Sequence, residues 1–182
     1  MGKTLHDLSG AHKGRPAVVI GGGPSAPEQL KSCPADALYI SANQHGCFLR
    51  RCDYVYCADA VEERINLRES GVPIISPRPS ADYQISEQRF SGSGAMAAYC
   101  AWLMGCAPIL LVGMDCYQGG TYFHDASAES VGKRIPLHRH LARWAPLVAL
   151  AGNNFRVFSG PLVGLFLLYE PGYTSCQSIN LI

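Results

Sequence analysis

A short apolar run, Pro16-Ala-Val-Val-Ile20, passes without a break into Gly21-Gly-Gly-Pro-Ser25. The run does not alternate between apolar and polar residues. It therefore predicts a strand buried on both faces, and such a strand needs layers of structure above and below it. The glycines let the backbone turn sharply and bring its N–H groups close to an anion. A helix predicted from Ala26 to Lys31, with Ser25 as cap and Pro27 in the first turn, adds the partial positive charge of its N-terminus. Gly21, Gly22, Gly23 and Ser25 are therefore the first candidates for holding a phosphate. The turn is not a P-loop, because no Gly-Lys-Ser/Thr follows. It also departs from the dinucleotide pattern G-x-G-x-x-G, because Pro24 and Ser25 interrupt it.

Further strands are predicted at Ala37–Ser41, Asp53–Cys57, Val72–Ser76, Pro108–Val112 and Phe155–Phe158. Helices are predicted at Ala60–Glu69, ending at Gly71, at Ser93–Leu103, and at Leu137–Ala151 with a bend at Pro146. Pro77–Arg89 and Cys116–Pro136 read as loops. Strands that alternate with helices imply an α/β fold: one domain with a mostly parallel, Rossmann-like sheet and helices on both faces. The domain is expected over residues 16–160. Residues 1–15 are expected to be loose, and residues 161–182 to form a tail packed on the domain. Ligands of such sheets bind at the carboxyl ends of the strands. Asn43, Asp59 and Asp115, with Tyr117, fall at those ends.

The 182 residues are 48% hydrophobic and 16% charged, with a net charge of +1. That composition suits a compact core and offers no attraction to nucleic acid or an anionic membrane. The opening residues lack an apolar targeting segment. The apolar stretch Pro161–Tyr169 is too short to span a bilayer and reads as a buried element or an interfacial foot. A soluble, cytoplasmic protein is the expectation, and self-association into a homo-oligomer is compatible with it. The eight cysteines include no C-x-x-C pair and mostly sit in or beside apolar runs. They are read as buried reduced thiols rather than as disulfides or metal ligands.

Three later segments carry chemistry. Arg89-Phe-Ser-Gly-Ser-Gly94 opens the clearest helix. Ser91 or Ser93 can cap it, or Ser93 and Gly94 can present N–H groups to a phosphate with Arg89 as a charged partner. Gly113-Met-Asp-Cys-Tyr117 leaves a buried strand and leads to Tyr122. Hydroxyls of Tyr117 and Tyr122 can hydrogen-bond a departing phosphate without a metal, or the rings can simply pack while Asp115 caps a turn. His138-Arg-His140 offers a histidine near neutral pKa as a general base. His124 and Asp125 leave a metal site open as an alternative, although no third ligand accompanies the paired histidines.

The Gly-rich turn ending in Pro-Ser, Asn43-Gln44 after the second strand, Ser93-Gly94 opening a helix, and Gly113-x-Asp115-x-Tyr117-Gln118 together resemble the family 42 bacterial sialyltransferases. The chain also looks like the MptE-like 6-hydroxymethylpterin diphosphokinases. The resemblance runs from about Val18 to Phe158 and is densest between Arg89 and Tyr122. The sialyltransferase likeness implies a CMP-sugar donor, sialic-acid-like, held by Gly23, Ser25 and Asn43, with Ser93 near the donor sugar. It implies that Tyr117 and Tyr122 hold the leaving phosphate, and that His138 deprotonates an acceptor of unspecified structure. The reaction implied is a metal-independent inverting displacement that needs no cofactor. The chain departs from that pattern at Gly22, where an asparagine is usual, and at Ile135, where a tyrosine is expected. The spacing from Asp115 to His138 is also shorter. The diphosphokinase likeness implies ATP and magnesium instead, with Asp59 and Asp115 as ligands. A third reading is a nucleotide-binding module without catalysis. Magnesium dependence separates the first two.

Overall fold

The computed structural model describes residues 2–59, 67, 70–86, 90–118, 120–125 and 135–171. Its strands are β1 (Lys3–Thr4), β2 (Ala17–Ile20), β3 (Leu38–Ala42), β4 (Tyr54–Tyr56), β5 (Ile74–Ser76), β6 (Tyr83–Gln84), β7 (Ile109–Val112), β8 (Phe155–Val157) and β9 (Leu167–Leu168). They form one sheet in the order β1-β6-β5-β4-β3-β2-β7-β8-β9. Every pairing is parallel. The helices are α1 (Ala26–Leu30), α2 (Ser93–Leu103), α3 (Leu137–Ala142) and α4 (Ala145–Ala151).

Side chains of a strand point alternately to opposite faces, and here both faces are covered. Ala17 and Val19 of β2, Leu38 and Ile40 of β3 and Ile109 and Leu111 of β7 meet α2 and Leu147 of α4 on one side. Val18 and Ile20, Tyr39, and Leu110 and Val112 meet Ala26 of α1 and Leu67 on the other. This two-sided burial is why the strands read as uninterrupted apolar runs. Fully burying one such side chain contributes about 1.5–3 kcal/mol. Helix α2 is buried over Ala95–Ala101, so it lies inside the molecule rather than on its surface.

What encloses α2 corrects the expectation of a loose N-terminus. Lys3–Thr4 pairs with β6, and the 3-10 turn Leu5–Leu8 buries Leu5 and Leu8 in the core around α2. The N–H groups of Gly10, His12 and Gly14 then donate to the carbonyls of Leu103, Met104 and Gly105. The first two are carbonyls of the helix end, which lack intrahelical partners, and the third lies just past the C-cap. The two apolar residues were hidden in a polar stretch too short to show a period.

Other boundaries differ as well. The loop predicted over 77–89 contains β6, a two-residue strand below the length at which alternation is visible. The helix predicted over 137–151 is two helices, broken between Ala142 and Ala145. A proline ring clashes with the carbonyl four residues back, so Pro146 opens the second helix instead of bending a single one. Leu162 and Phe166 tie the early tail to the core, and β9 adds an outer strand beside β8. The helix predicted at Ala60–Glu69 lies largely outside the described residues. No helix among the described residues is long and apolar enough to cross a membrane. The seven described cysteines are free thiols.

Candidate functional site

Strand β2 has β3 on one side and β7 on the other, so chain direction through the sheet reverses around it. Loops leaving the carboxyl ends of these strands diverge there and open a crevice. A cleft occupies that position. Gly21–Gly23 form its floor, Ala42, Asn43 and His45 one wall, and Ser91–Ala95 another. Gly113–Tyr117 with Thr121 and Tyr122, and His140, Arg143 and Trp144, complete it.

The floor is held from β7. Gly21 N–H donates to Val112 O, Gly23 N–H to Gly113 O, and Gly113 N–H to Gln29 Oε1 at 2.9 Å. Asp115 clamps the turn through both oxygens: Ser25 N–H donates to Oδ2 at 2.9 Å, and Ser25 Oγ–H to Oδ1 at 2.6 Å. Ser25 stands at the N-cap position of α1, yet its side chain does not cap the helix. The nearby carboxylate is the stronger acceptor and takes the hydroxyl instead. A Cβ on Gly22 would lie 2.6 Å from Tyr122 Cδ1 and 2.8 Å from His45 Nδ1. Glycine is required there because two rings lie on the backbone. Asp115→Ala removes both acceptors of Ser25 and is expected to cost about 2 kcal/mol, read as a fall in Tm of roughly 4–8 °C.

The walls present donors and acceptors. Helix α2 starts at Gly92 (φ 102°) with no side-chain cap, so neither Ser91 nor Ser93 caps it. Its first-turn N–H groups lie beside the cleft with the positive end of an eleven-residue helix. Asn43 adopts φ 56°, its N–H donates to Tyr56 O at 2.7 Å, and its buried Oδ1 has no partner among the described residues. Cys116 and Tyr117 also lie in the left-handed region, at φ 49° and 61°. Two successive non-glycine residues in that region are uncommon and place Tyr117 at the cleft. Burial pushes the Cys116 thiol up to about 11, with Asp115 adding to the shift, so it is no thiolate nucleophile at neutral pH.

A chain of rings lines the mouth. Tyr117 lies 4.9 Å from His140 and 6.4 Å from Tyr122, centroid to centroid. Tyr122 lies 4.5 Å from His45 and stacks on His124 at 5.6 Å. His45 Nδ1 and His124 Nε2 are 2.8 Å apart.

Of the residues expected from sequence, Gly21, Gly22, Gly23, Asn43, Ser93, Gly94, Asp115, Tyr117 and Tyr122 line the cleft, and Ser25 is bound to Asp115. Ser25 thus sits behind the lining, and two others lie away from the cleft. His138 is exposed on the outside of α3, and the cleft is lined by His140, which is buried. Successive helical residues are about 100° apart, so residues two apart face nearly opposite ways. Asp59 is exposed and also does not line the cleft. Asp59 and Asp115, the two carboxylates expected to share a magnesium ion, do not both line the cleft, and each Asp115 oxygen accepts one hydrogen bond from Ser25. No group of three or more potential metal ligands occurs among the described residues. Arg89 lies outside them. Sequence reasoning missed His45, Arg143 and Trp144. For His140 a signal existed, because it shares the helix face of Leu141 and Trp144.

No protein-family model and no curated protein matches the chain. Solved structures do. The chain is similar to the sialyltransferase CstII from Campylobacter jejuni in complex with the substrate analogue cytidine-5'-monophosphate. That match has a TM-score of 0.62 at 16% identity over 87% of this chain and 86% of that one. The same enzyme with CMP-3FNeuAc gives 0.59 at 16% identity, over 86% and 87%. The MAf glycosyltransferase from Magnetospirillum magneticum AMB-1 gives 0.50 at 16% identity, and 92% of this chain covers 38% of it. The chain thus has a Rossmann-like α/β fold shared with glycosyltransferases.

Proposed function

We propose that this protein is a glycosyltransferase that takes a sugar, sialic-acid-like, from a CMP-linked donor by a metal-independent inverting displacement. One observation carries the reading. The glycine-rich floor, the uncapped N-terminus of α2, Tyr117, Tyr122 and His140 converge on one cleft beside β2. The fold shared with two glycosyltransferases, one of them solved with cytidine-5'-monophosphate, supports it.

In this reading the N–H groups of Gly22 and the first turn of α2 face the donor's phosphate, where no positive side chain is needed to begin neutralising it, while the Gly23 N–H stays on Gly113 O. Asn43 Oδ1, a buried acceptor lacking a partner, receives an N–H or O–H of the nucleoside. The acceptor hydroxyl attacks the anomeric carbon on the face opposite the phosphate. The new C–O bond forms as the bond to phosphate oxygen breaks, and the electron pair leaves with CMP. Tyr117 and Tyr122 donate their O–H groups to the departing phosphate as its charge grows. His140 takes the proton from the acceptor hydroxyl, in place of the exposed His138.

Thermal stability against CMP, CDP, ATP and GTP, with and without magnesium, tests the nucleotide. At 100 times its dissociation constant a ligand adds about 2.7 kcal/mol, which raises Tm by roughly 5–10 °C for a chain of this size. The expected outcome is a rise with cytidine nucleotides that persists in EDTA. A rise with ATP confined to magnesium would move the diphosphokinase reading to first place.

A further inference from the structure

His45 and His124 have no part in the displacement described above, yet they meet at 2.8 Å across the cleft mouth. His45 belongs to the 3-10 turn His45–Phe48 after β3 and is only 8% exposed. His124 belongs to the loop that carries Tyr122. Their facing nitrogens, Nδ1 and Nε2, are 2.8 Å apart, which requires one proton between them: one ring donates and the other accepts. Phe48 stacks on His124 at 4.4 Å, and Tyr122 packs on both imidazoles. Phe123 N–H donates to Gly22 O at 3.1 Å, fastening the same loop to the glycine-rich floor.

We propose that His45 and His124 form a shared-proton pair that positions Tyr122 over the ligand phosphate, and that protonation of both rings releases it. The neutral pair keeps its hydrogen bond. The singly protonated pair keeps a stronger, charge-assisted one. With two protons, both nitrogens become donors that face each other, and the contact is lost. The titratable groups beside the pair are Tyr122 and Asp125 on the loop, while Phe48 and Gly22 contribute none. Burial holds the His124 imidazole below its ordinary value, with Asp125 partly opposing that shift. Release therefore falls in acid, below the usual imidazole range of about 6.5. His45 and His124 are positioning residues that act through Tyr122.

The affinity readout rests on the nucleotide reading, whereas the proton readout does not. Calorimetric titration with CMP at pH 7.5 and pH 5.0 is compared for the wild type, His124→Asn and His124→Ala. The CMP phosphate's own titration is common to all three. An asparagine amide can accept from His45 at either pH and cannot be protonated. The expected pattern is an additional weakening of about 10-fold on acidification in the wild type, none in His124→Asn, and a uniform weakening of about 10-fold in His124→Ala. Nitrogen-15 spectra of the imidazoles should show two separated titration steps for the pair. Equal pH dependence of the wild type and His124→Asn would overturn the proposal, as would two rings titrating independently. If the wild type binds no CMP, the nucleotide reading fails and the imidazole spectra alone decide whether the pair shares a proton.

Discussion

His140→Ala is expected to lower turnover of a CMP-sugar donor about 10²- to 10⁴-fold, while His138→Ala leaves it within about twofold of wild type. The two residues lie on one short helix two positions apart. Only His140 enters the cleft, where it is 4% exposed and packs on the Tyr117 ring. His138 is exposed to solvent. The measurement is the initial rate of CMP release with saturating donor and acceptor. CMP affinity and Tm of His140→Ala, measured alongside, separate a missing base from a damaged fold. A comparable rate loss in His138→Ala would reverse the assignment of the base. An unchanged rate in His140→Ala would remove general-base catalysis by this helix.

Gly23→Ala is expected to lower Tm by about 6–12 °C, a loss of roughly 3 kcal/mol, and to abolish CMP binding. Its Cβ would lie 2.1 Å from Asp115 Oδ2 and 2.7 Å from Gly113 O. Neither neighbour can retreat cheaply. Asp115 is held by two hydrogen bonds from Ser25, and Gly113 O accepts the N–H of Gly23 itself. The strain therefore spreads into the floor that faces the ligand. Gly164→Ala is the control, since nothing lies within 4 Å of its Cβ position, and its Tm should stay close to wild type. A Gly23→Ala protein with wild-type Tm and CMP affinity would show that the floor is looser than its packing indicates.

These two expectations differ in how far sequence alone could reach them. The glycine-rich floor was legible because an apolar run ending in three glycines before Pro-Ser has few structural meanings. The purpose of Ser25 was not. A serine before a helix reads as a cap, and only the approach of Asp115, ninety residues further on, redirects its hydroxyl. Tyr117 and Tyr122 were legible as polar rings leaving a buried strand. His45 was not, because nothing near Asn43-Gln44 indicates that the chain turns its next side chain onto Gly22.

The sequence by itself determined the parallel α/β sheet, its six central strands β2, β3, β4, β5, β7 and β8, and the edge on which the glycines and polar residues gather. Those features depend on local periodicity and on glycine, which act within a few residues. Tertiary structure decided which histidine of His138-Arg-His140 enters the cleft, why Asp59 stays outside it, and which loop His45 meets. It also decided that the polar N-terminus closes over α2. Each of these depends on contacts between residues far apart in the chain, and a periodicity read within one segment carries no information about what packs against it.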